Sequence, residues 1–173
     1  DVMLLETEGL AFDRNFRTEL VMRSGEARIM PNYKKALSED AFRTYGQHKN
    51  LTFKNCTAKN MRGGFELRTK EGVKLDNCTA LGNERGFWVG TDAVLTNCRG
   101  DAEYGPLLFS EGDKTNVELE LLPTESKFTV HAAAIVRGKG SRITLKSSGD
   151  GERKTVVPLL IGYSMPAAGE GMA

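Results

Sequence analysis

Leu51-Thr-Phe-Lys-Asn-Cys-Thr-Ala58 is the stretch that decides the fold, because the chain repeats its pattern twice more. The second copy is Val73-Lys-Leu-Asp-Asn-Cys-Thr-Ala80, and the third is Ala93-Val-Leu-Thr-Asn-Cys-Arg-Gly100. From Cys56 to Cys78 is 22 residues, and from Cys78 to Cys98 is 20. Repetition at such a spacing is typical of a solenoid, in which each unit forms one coil and stacks on the next.

A second repeat follows downstream in each unit. Gly64-Phe-Glu-Leu67 aligns with Gly86-Phe-Trp-Val89 and, more loosely, with Pro106-Leu-Leu-Phe109. Phe65 and Phe87 are 22 residues apart, and Leu107 follows 20 residues later, which are the intervals of the cysteines. Two repeats with the same uneven spacing predict two strands in every coil.

The strands show alternating apolar and polar residues, which places one face in a core and the other in solvent. Coils of this length cannot bury their apolar faces alone, whereas stacked coils can. Weaker copies extend the pattern, so we expect about six or seven coils. The later first strands are Val117–Leu121 and Ile143–Leu145, the later second strands are Ala133–Val136 and Val156–Ile161, and upstream strands are expected at Val2–Leu5, Leu10–Phe12 and Leu20–Met22.

One segment breaks the period. Residues 31–48 are predicted as an inserted loop, with a short helix at about 36–42. Residues 1–165 are expected to form a single domain, and the tail 166–173, rich in Pro, Ala and Gly, is expected to be flexible.

Charge and composition exclude several classes of partner. The chain has 24 basic and 23 acidic side chains, so its formal net charge of +1 gives no reason to expect nucleic-acid binding. No apolar stretch approaches the roughly 20 residues of a membrane span. The chain starts abruptly in a strand at Asp1 without an initiator methionine. We therefore expect a mature or truncated chain whose open end is capped by another chain or by a missing N-terminal segment.

The repeated cysteines invite a metal or redox interpretation, but their spacing favours a structural one. Zinc sites need ligand pairs two to four residues apart, whereas Cys56, Cys78 and Cys98 each occupy the same place in a different coil. Buried thiols act as small apolar side chains, with a stress-induced disulfide or adventitious metal as the alternatives. The preceding asparagines are predicted to fix tight bends and to bond from coil to coil as a ladder; they are Asn55, Asn77 and Asn97.

The repeated Val/Leu-x-Leu/Phe-x-Asn-Cys-x-Ala pattern resembles the right-handed parallel β-helix, or pectin-lyase-like, superfamily. The segment from His48 to Phe65 is similar to β-helix repeat proteins of polysaccharide-degrading bacteria. The resemblance is clear over 50–110 and looser over 116–163. It implies an all-β fold, an extracellular, cell-surface or periplasmic location, and a polysaccharide or oligosaccharide ligand that lies across the coils. No cofactor and no metal site are expected.

On this view, function depends on the outward side chains of the second strands. Glu66, Trp88 and Leu108 are expected to form one outward column beside Arg68, Gly90 and Ser110. The indole of Trp88 is a candidate sugar-stacking platform, with Glu66 and Arg68 as neighbouring binding groups; the alternative is that a loop or partner covers it.

The arcs between strands carry the candidate catalytic groups. Arg62, Arg85 and Tyr104 offer the cations and the base that a lyase of uronates needs. A hydrolase instead needs paired carboxylates, for which Glu84, Asp101 and Glu103 are available. The alternative for these groups is the mixed charge of any soluble surface, and the motifs of the known pectate lyases and polygalacturonases are absent.

Two hypotheses therefore stand: a carbohydrate-active protein, or a non-catalytic β-helix that is a binding module or the C-terminal part of a larger one.

Overall fold

The structure is a computed structural model that describes residues 2–3, 6–8, 11–13, 35–37, 40–124, 130–149 and 155–162. Every regular element in these ranges is a β-strand. The strands form two parallel sheets and one small antiparallel pair. This arrangement follows from the alternating pattern of the repeats, because strands of this length need neighbouring coils to bury their apolar faces.

The first sheet contains the first strands of the repeats, including those at the Asn-Cys segments, and the second sheet contains the second strands of the repeats. The first sheet contains β1 (Val2–Met3), β2 (Glu6–Glu8), β6 (Thr52–Lys54), β7 (Thr57–Lys59), β9 (Lys74–Asp76), β10 (Thr79–Leu81), β12 (Val94–Gly100), β14 (Asn116–Leu121) and β16 (Arg142–Ser147). The second sheet contains β5 (Phe42–Lys49), β8 (Gly63–Glu71), β11 (Arg85–Val89), β13 (Leu108–Ser110), β15 (Val130–Val136) and β17 (Thr155–Ile161).

The second sheet has six strands in the order β17-β15-β13-β11-β8-β5, so the solenoid has six levels joined by five steps. This confirms the predicted all-β parallel solenoid and lies close to the expected six or seven coils. The weaker repeats were correctly predicted as strands too, since Val117–Leu121 lies in β14 and Ile143–Leu145 in β16.

The core lies between the two sheets and consists of equivalent residues stacked from level to level. Phe42, Phe65 and Phe87 form a ladder whose neighbouring ring centroids are 4.7 and 5.0 Å apart, and the last two side chains are fully buried. Phe53 packs edge-on against Phe65 at 6.3 Å from the first sheet. Burying one such side chain contributes about 1.5–3 kcal/mol, so the aromatic ladder fixes the vertical alignment of the coils.

The segment that breaks the period differs from the prediction. In place of a loop over 31–48 with a helix at 36–42, the structure has β4 at Lys35–Leu37 and β5 at Phe42–Lys49. The helix was wrong because Phe42 has an equivalent place in the aromatic ladder, and packing there overrides local propensity. β4 pairs antiparallel with β3 (Ala11–Asp13), so the described part of the strand predicted at Leu10–Phe12 belongs to an excursion from the stack and not to a coil.

Some expectations fall on residues outside the described ranges. These are the strand at Leu20–Met22 and the tail 166–173. The single domain over 1–165 stays a prediction.

One alignment was wrong by a single residue. Phe87 pairs with Leu108, where the sequence repeat had placed Leu107. Leu107 and Leu108 are both fully buried, so the core accommodates both. The outward column therefore runs through Phe109 in place of Leu108. Ser110 pairs with Val89 and is buried, where its hydroxyl lies 2.8 Å from that of Thr115.

Candidate functional site

The outward face of the second sheet carries a compact group of charged and aromatic side chains on its first three levels. We call it the Arg–Trp cluster and define it by Asp40, Arg43, Glu66, Arg68, Arg85 and Trp88. Arg43, Glu66 and Trp88 are paired positions on β5, β8 and β11, and Arg85 is paired with Gly63. Because parallel strands stack about 4.8 Å apart, these residues meet although they are far apart in sequence.

Trp88 lies at the centre of the cluster, and its ring is covered. The guanidinium carbon of Arg68 lies 4.5 Å from the ring centroid, and that of Arg85 lies 4.8 Å away. Phe109 packs edge-on at 4.8 Å, and the indole N–H donates to Glu111 at 2.8 Å. Only 8% of Trp88 is exposed, so the sequence-based expectation of a solvent-facing indole was wrong. Stacking on a sugar stays a prediction, and it requires one guanidinium to move aside.

Two carboxylates hold the arginines in place. Glu66 forms ion pairs with Arg68 at 2.9 Å and with Arg85 at 3.5 Å. Asp40 forms an ion pair with Arg43 at 3.0 Å, and one of its oxygens lies 3.9 Å from Arg85. The side chains of Asp40 and Glu66 are only 2% and 4% exposed, which means that these charges interact at low effective dielectric.

This environment shifts the pKa of two groups. Burial is the largest cause that raises the pKa of Asp40 to about 6, and the charge of Glu66 adds to it, while Arg85 and Arg43 oppose the shift. Burial also lowers the pKa of Arg85, against the charges of Glu84 and Glu66.

Some polar atoms of the cluster keep unused hydrogen-bonding capacity. The Nε atoms of Arg68 and Arg85 and the Oδ1 atom of Asp40 are buried without a hydrogen-bond partner in the described part of the chain. Such groups are costly to bury unless a ligand or water satisfies them.

The predicted catalytic candidates separate into two groups. Arg62 and Glu84 act electrostatically on Arg85, and so belong to the surroundings of the cluster. Tyr104 interacts instead with Glu103 and Asp101. Burial, followed by the charge of Glu103, raises the pKa of Tyr104 to about 12, which disfavours the phenolate that a lyase base requires.

Asp101 has a structural partner on the neighbouring coil. Both of its carboxylate oxygens lie 3.0 Å from the backbone N–H of Gly82, which donates to them. Burial raises the pKa of Asp101 to about 6. Asn83, which the sequence did not single out, bridges coils in a similar way, since its side chain accepts from the N–H of Met61 and donates to the carbonyl of Ala58.

The repeated Asn-Cys pairs lie on the first sheet, away from the cluster. Asn77 donates to the side-chain oxygen of Asn55 at 2.7 Å, and Asn97 has the same backbone conformation one level on. The three cysteines are buried and form no disulfide. Among the described residues, no group of three or more His, Cys, Asp or Glu side chains is arranged to hold a metal ion.

Sequence reasoning missed Asp40, Arg43 and Glu111. Asp40 fell in the segment predicted as a loop, and its charged partners other than Arg43, which are Glu66 and Arg85, lie 26 or more residues further along the chain. The signal that could have placed Asp40 is Phe42, which aligns with Phe65 and Phe87 of the aromatic ladder. The position of Glu111 depends on the one-residue shift of β13.

Comparison with protein families gives a match to the model described as "Right handed beta helix region" over residues 12–148. That match covers most of the chain. The comparison with curated proteins found no match. In the part of the chain that the structure describes, no helix is long and apolar enough to cross a membrane.

Proposed function

We propose that this chain, which belongs to the right-handed β-helix family, binds an extracellular acidic polysaccharide along the outward face of its second sheet. The observation that carries the proposal is the contact of Arg68 and Arg85 with Trp88, together with Arg43 in the same outward column two strands away. Guanidinium groups match carboxylate and sulfate geometry, and an indole beside them suits a sugar ring.

Two further observations support this site. The buried Nε donors of Arg68 and Arg85 have no partner in the described chain, so a guanidinium that moves aside for a ligand brings an unsatisfied donor with it. Arg43 and Arg68 are 39% and 36% exposed, so the outer edge of the cluster is open to solvent.

The test is binding of a panel of polyuronates and sulfated glycans, measured by calorimetry, to the wild type and to Arg68→Gln. Arg99→Gln is the matched control, because Arg99 is an exposed arginine on the first sheet. We expect Arg68→Gln to weaken binding about tenfold and Arg99→Gln to leave it unchanged. Equal losses in both variants would indicate non-specific charge attraction and reject the site.

Catalysis is tested separately by following unsaturated product and reducing ends on the same polyuronates. Product formation that Arg68→Gln reduces would make the protein a polysaccharide lyase or hydrolase. Binding without product would make it a binding module.

A second candidate function is a non-catalytic structural or interaction β-helix. The observation that favours it is the covered ring of Trp88, since two arginines, Phe109 and Glu111 already occupy its surroundings. In this case the cluster stabilises the outward face, and no glycan in the panel binds.

A further inference from the structure

We infer that the Asp40 carboxyl takes up a proton as the medium becomes acidic, and that this proton strengthens the binding of anionic ligands at the Arg–Trp cluster. The inference rests on the proposed function, since it concerns the regulation of the same site.

The geometry places two carboxylates against one shared cation. Asp40 and Glu66 both reach Arg85, at 3.9 and 3.5 Å, and both are almost fully buried. Their other charged partners are Arg43 on β5 for Asp40 and Arg68 on β8 for Glu66. With both carboxylates ionised, like charges lie close together in a poorly hydrated place, which favours the uptake of a proton by one of them.

Asp40 is closely packed on the side that faces Gly63. Its Oδ1 atom lies against Gly63, where a Cβ atom would come within 2.1 Å of it. The backbone beside it is fixed, because the N–H of Ala41 donates to the carbonyl of Gly63 at 2.9 Å. The side chain therefore cannot move away from Glu66 toward Gly63, whereas protonation removes the repulsion between the two carboxylates without any movement.

One proton changes the charge of the whole cluster. Three guanidinium groups face two carboxylates, which leaves one net positive charge; with Asp40 neutral, the net charge is two. Asp40 also ceases to compete with a ligand anion for Arg85. The pKa of about 6 places this change between pH 5 and pH 7, within the range of mildly acidic surroundings.

The probe is dextran sulfate, whose sulfate groups keep their charge between pH 5 and pH 7.5, with neutral dextran as the blank. We expect the wild type to bind about three- to tenfold more tightly at pH 5 than at pH 7.5, as one added charge near the ligand predicts. Asp40→Asn should bind tightly at both pH values. Glu118→Gln is the matched control on the exposed face of the first sheet, and it should keep the full pH dependence.

The outcomes separate the two proposals. Binding with the same affinity at both pH values, or an unchanged pH dependence in Asp40→Asn, overturns the inference and leaves the proposed function standing. No binding of any acidic glycan at either pH overturns the proposed function. Glu66→Gln is the second variant in case Asp40→Asn does not fold: by removing the neighbouring charge, it should move the change in affinity to lower pH. If the affinity of Glu66→Gln changes at the same pH as that of the wild type, the inference is contradicted. If neither variant folds, the ratio of the wild-type affinities at pH 5 and pH 7.5 decides.

Discussion

At the residue scale, left-handed backbone makes the stability of the fold depend on which residue occupies a position. Asn55, Asn77 and Asn97 have φ angles of 53–54°, a conformation that costs other residues with a Cβ about 1–2 kcal/mol. Asparagine tolerates it, because its short amide bonds locally or to a neighbour. The sequence allowed this role to be predicted, since all three residues stand at the same place in the repeat.

Replacing Asn77 by alanine is expected to lower the free energy of unfolding by about 1–2 kcal/mol, through left-handed strain and loss of the bond to Asn55. Asn77→Gly should cost less, since glycine adopts the same backbone freely. Denaturant unfolding measures both. Asn116→Ala, at an exposed strand position, is the control and should change stability little. If Ala and Gly cost the same at position 77, the backbone argument fails.

The cysteines are expected to be chemically silent in the native protein. The hydrogen bond between Cys78 and Cys98 lowers the pKa of Cys78 and, with burial, raises the pKa of Cys98, so the expectation rests on burial, which keeps all three sulfur atoms from the reagent. Ellman's reagent should label none of the three within the time that it labels an exposed Thr96→Cys control, and all three after denaturation. Rapid labelling of the native wild type would show that at least one of the three cysteine side chains is accessible to solvent.

At the scale of elements, the corner that follows each strand of the second sheet repeats the left-handed conformation, and at the first five levels it leads to the first sheet. The residues there are Asn50, Gly72, Asp92, Lys114, Gly140 and Gly162, with φ angles from 55 to 80°. Their identities differ, so no sequence motif shows this corner, although the intervals between them are close to the repeat. The shared feature is a backbone angle, which several residue types can adopt at different cost.

Glycines near this corner are needed for two different reasons. A Cβ on Gly90 would lie 2.0 Å from the carbonyl oxygen of Thr69 on the coil before it, whereas a Cβ on Gly140 meets nothing closer than 3.8 Å. Gly140 instead has a φ of +67°. Gly90→Ala should therefore separate neighbouring coils and cost about 3 kcal/mol or more, while Gly140→Ala should cost about 1 kcal/mol. Thermal unfolding compares them, and equal costs would contradict the steric argument.

The limit of sequence reasoning is also clearest at this scale. The strongly repeated strands were placed correctly, because apolar alternation and spacing determine which side faces the core. The alignment of β13 slipped by one residue, since two adjacent leucines, Leu107 and Leu108, are both buried. The Arg–Trp cluster was predicted only in part: Arg68, Arg85, Trp88 and Glu66 were named, but their mutual contacts depend on side-chain directions across levels, which a single sequence does not specify.

For the whole molecule, buried carboxyl groups make stability depend on pH in an unusual direction. The pKa values of Asp40 and Asp101 are both about 6 in the folded chain, against an ordinary value of 3.8. A raised carboxyl pKa means that the folded state holds a proton that the unfolded state has released. The contribution is therefore fully favourable below about pH 4 and is lost as the pH rises through about 6.

Between pH 5 and pH 7.5, the free energy of unfolding is expected to fall by about 1–3 kcal/mol from these two groups together. Urea unfolding at a series of pH values measures it. Asp40→Asn with Asp101→Asn should flatten the profile in this window, because the amides cannot release a proton, and Asp92→Asn, an exposed site, should not. Asp40 contacts residues of the first three levels, and Asp101 bonds the fourth level to the third. Protonation of these two carboxyl groups therefore changes contacts between coils. A wild-type profile that rises from pH 5 to pH 7.5 would mean that the ion pairs of Asp40 outweigh its burial, and the acid regulation inferred for the cluster would lose its basis as well.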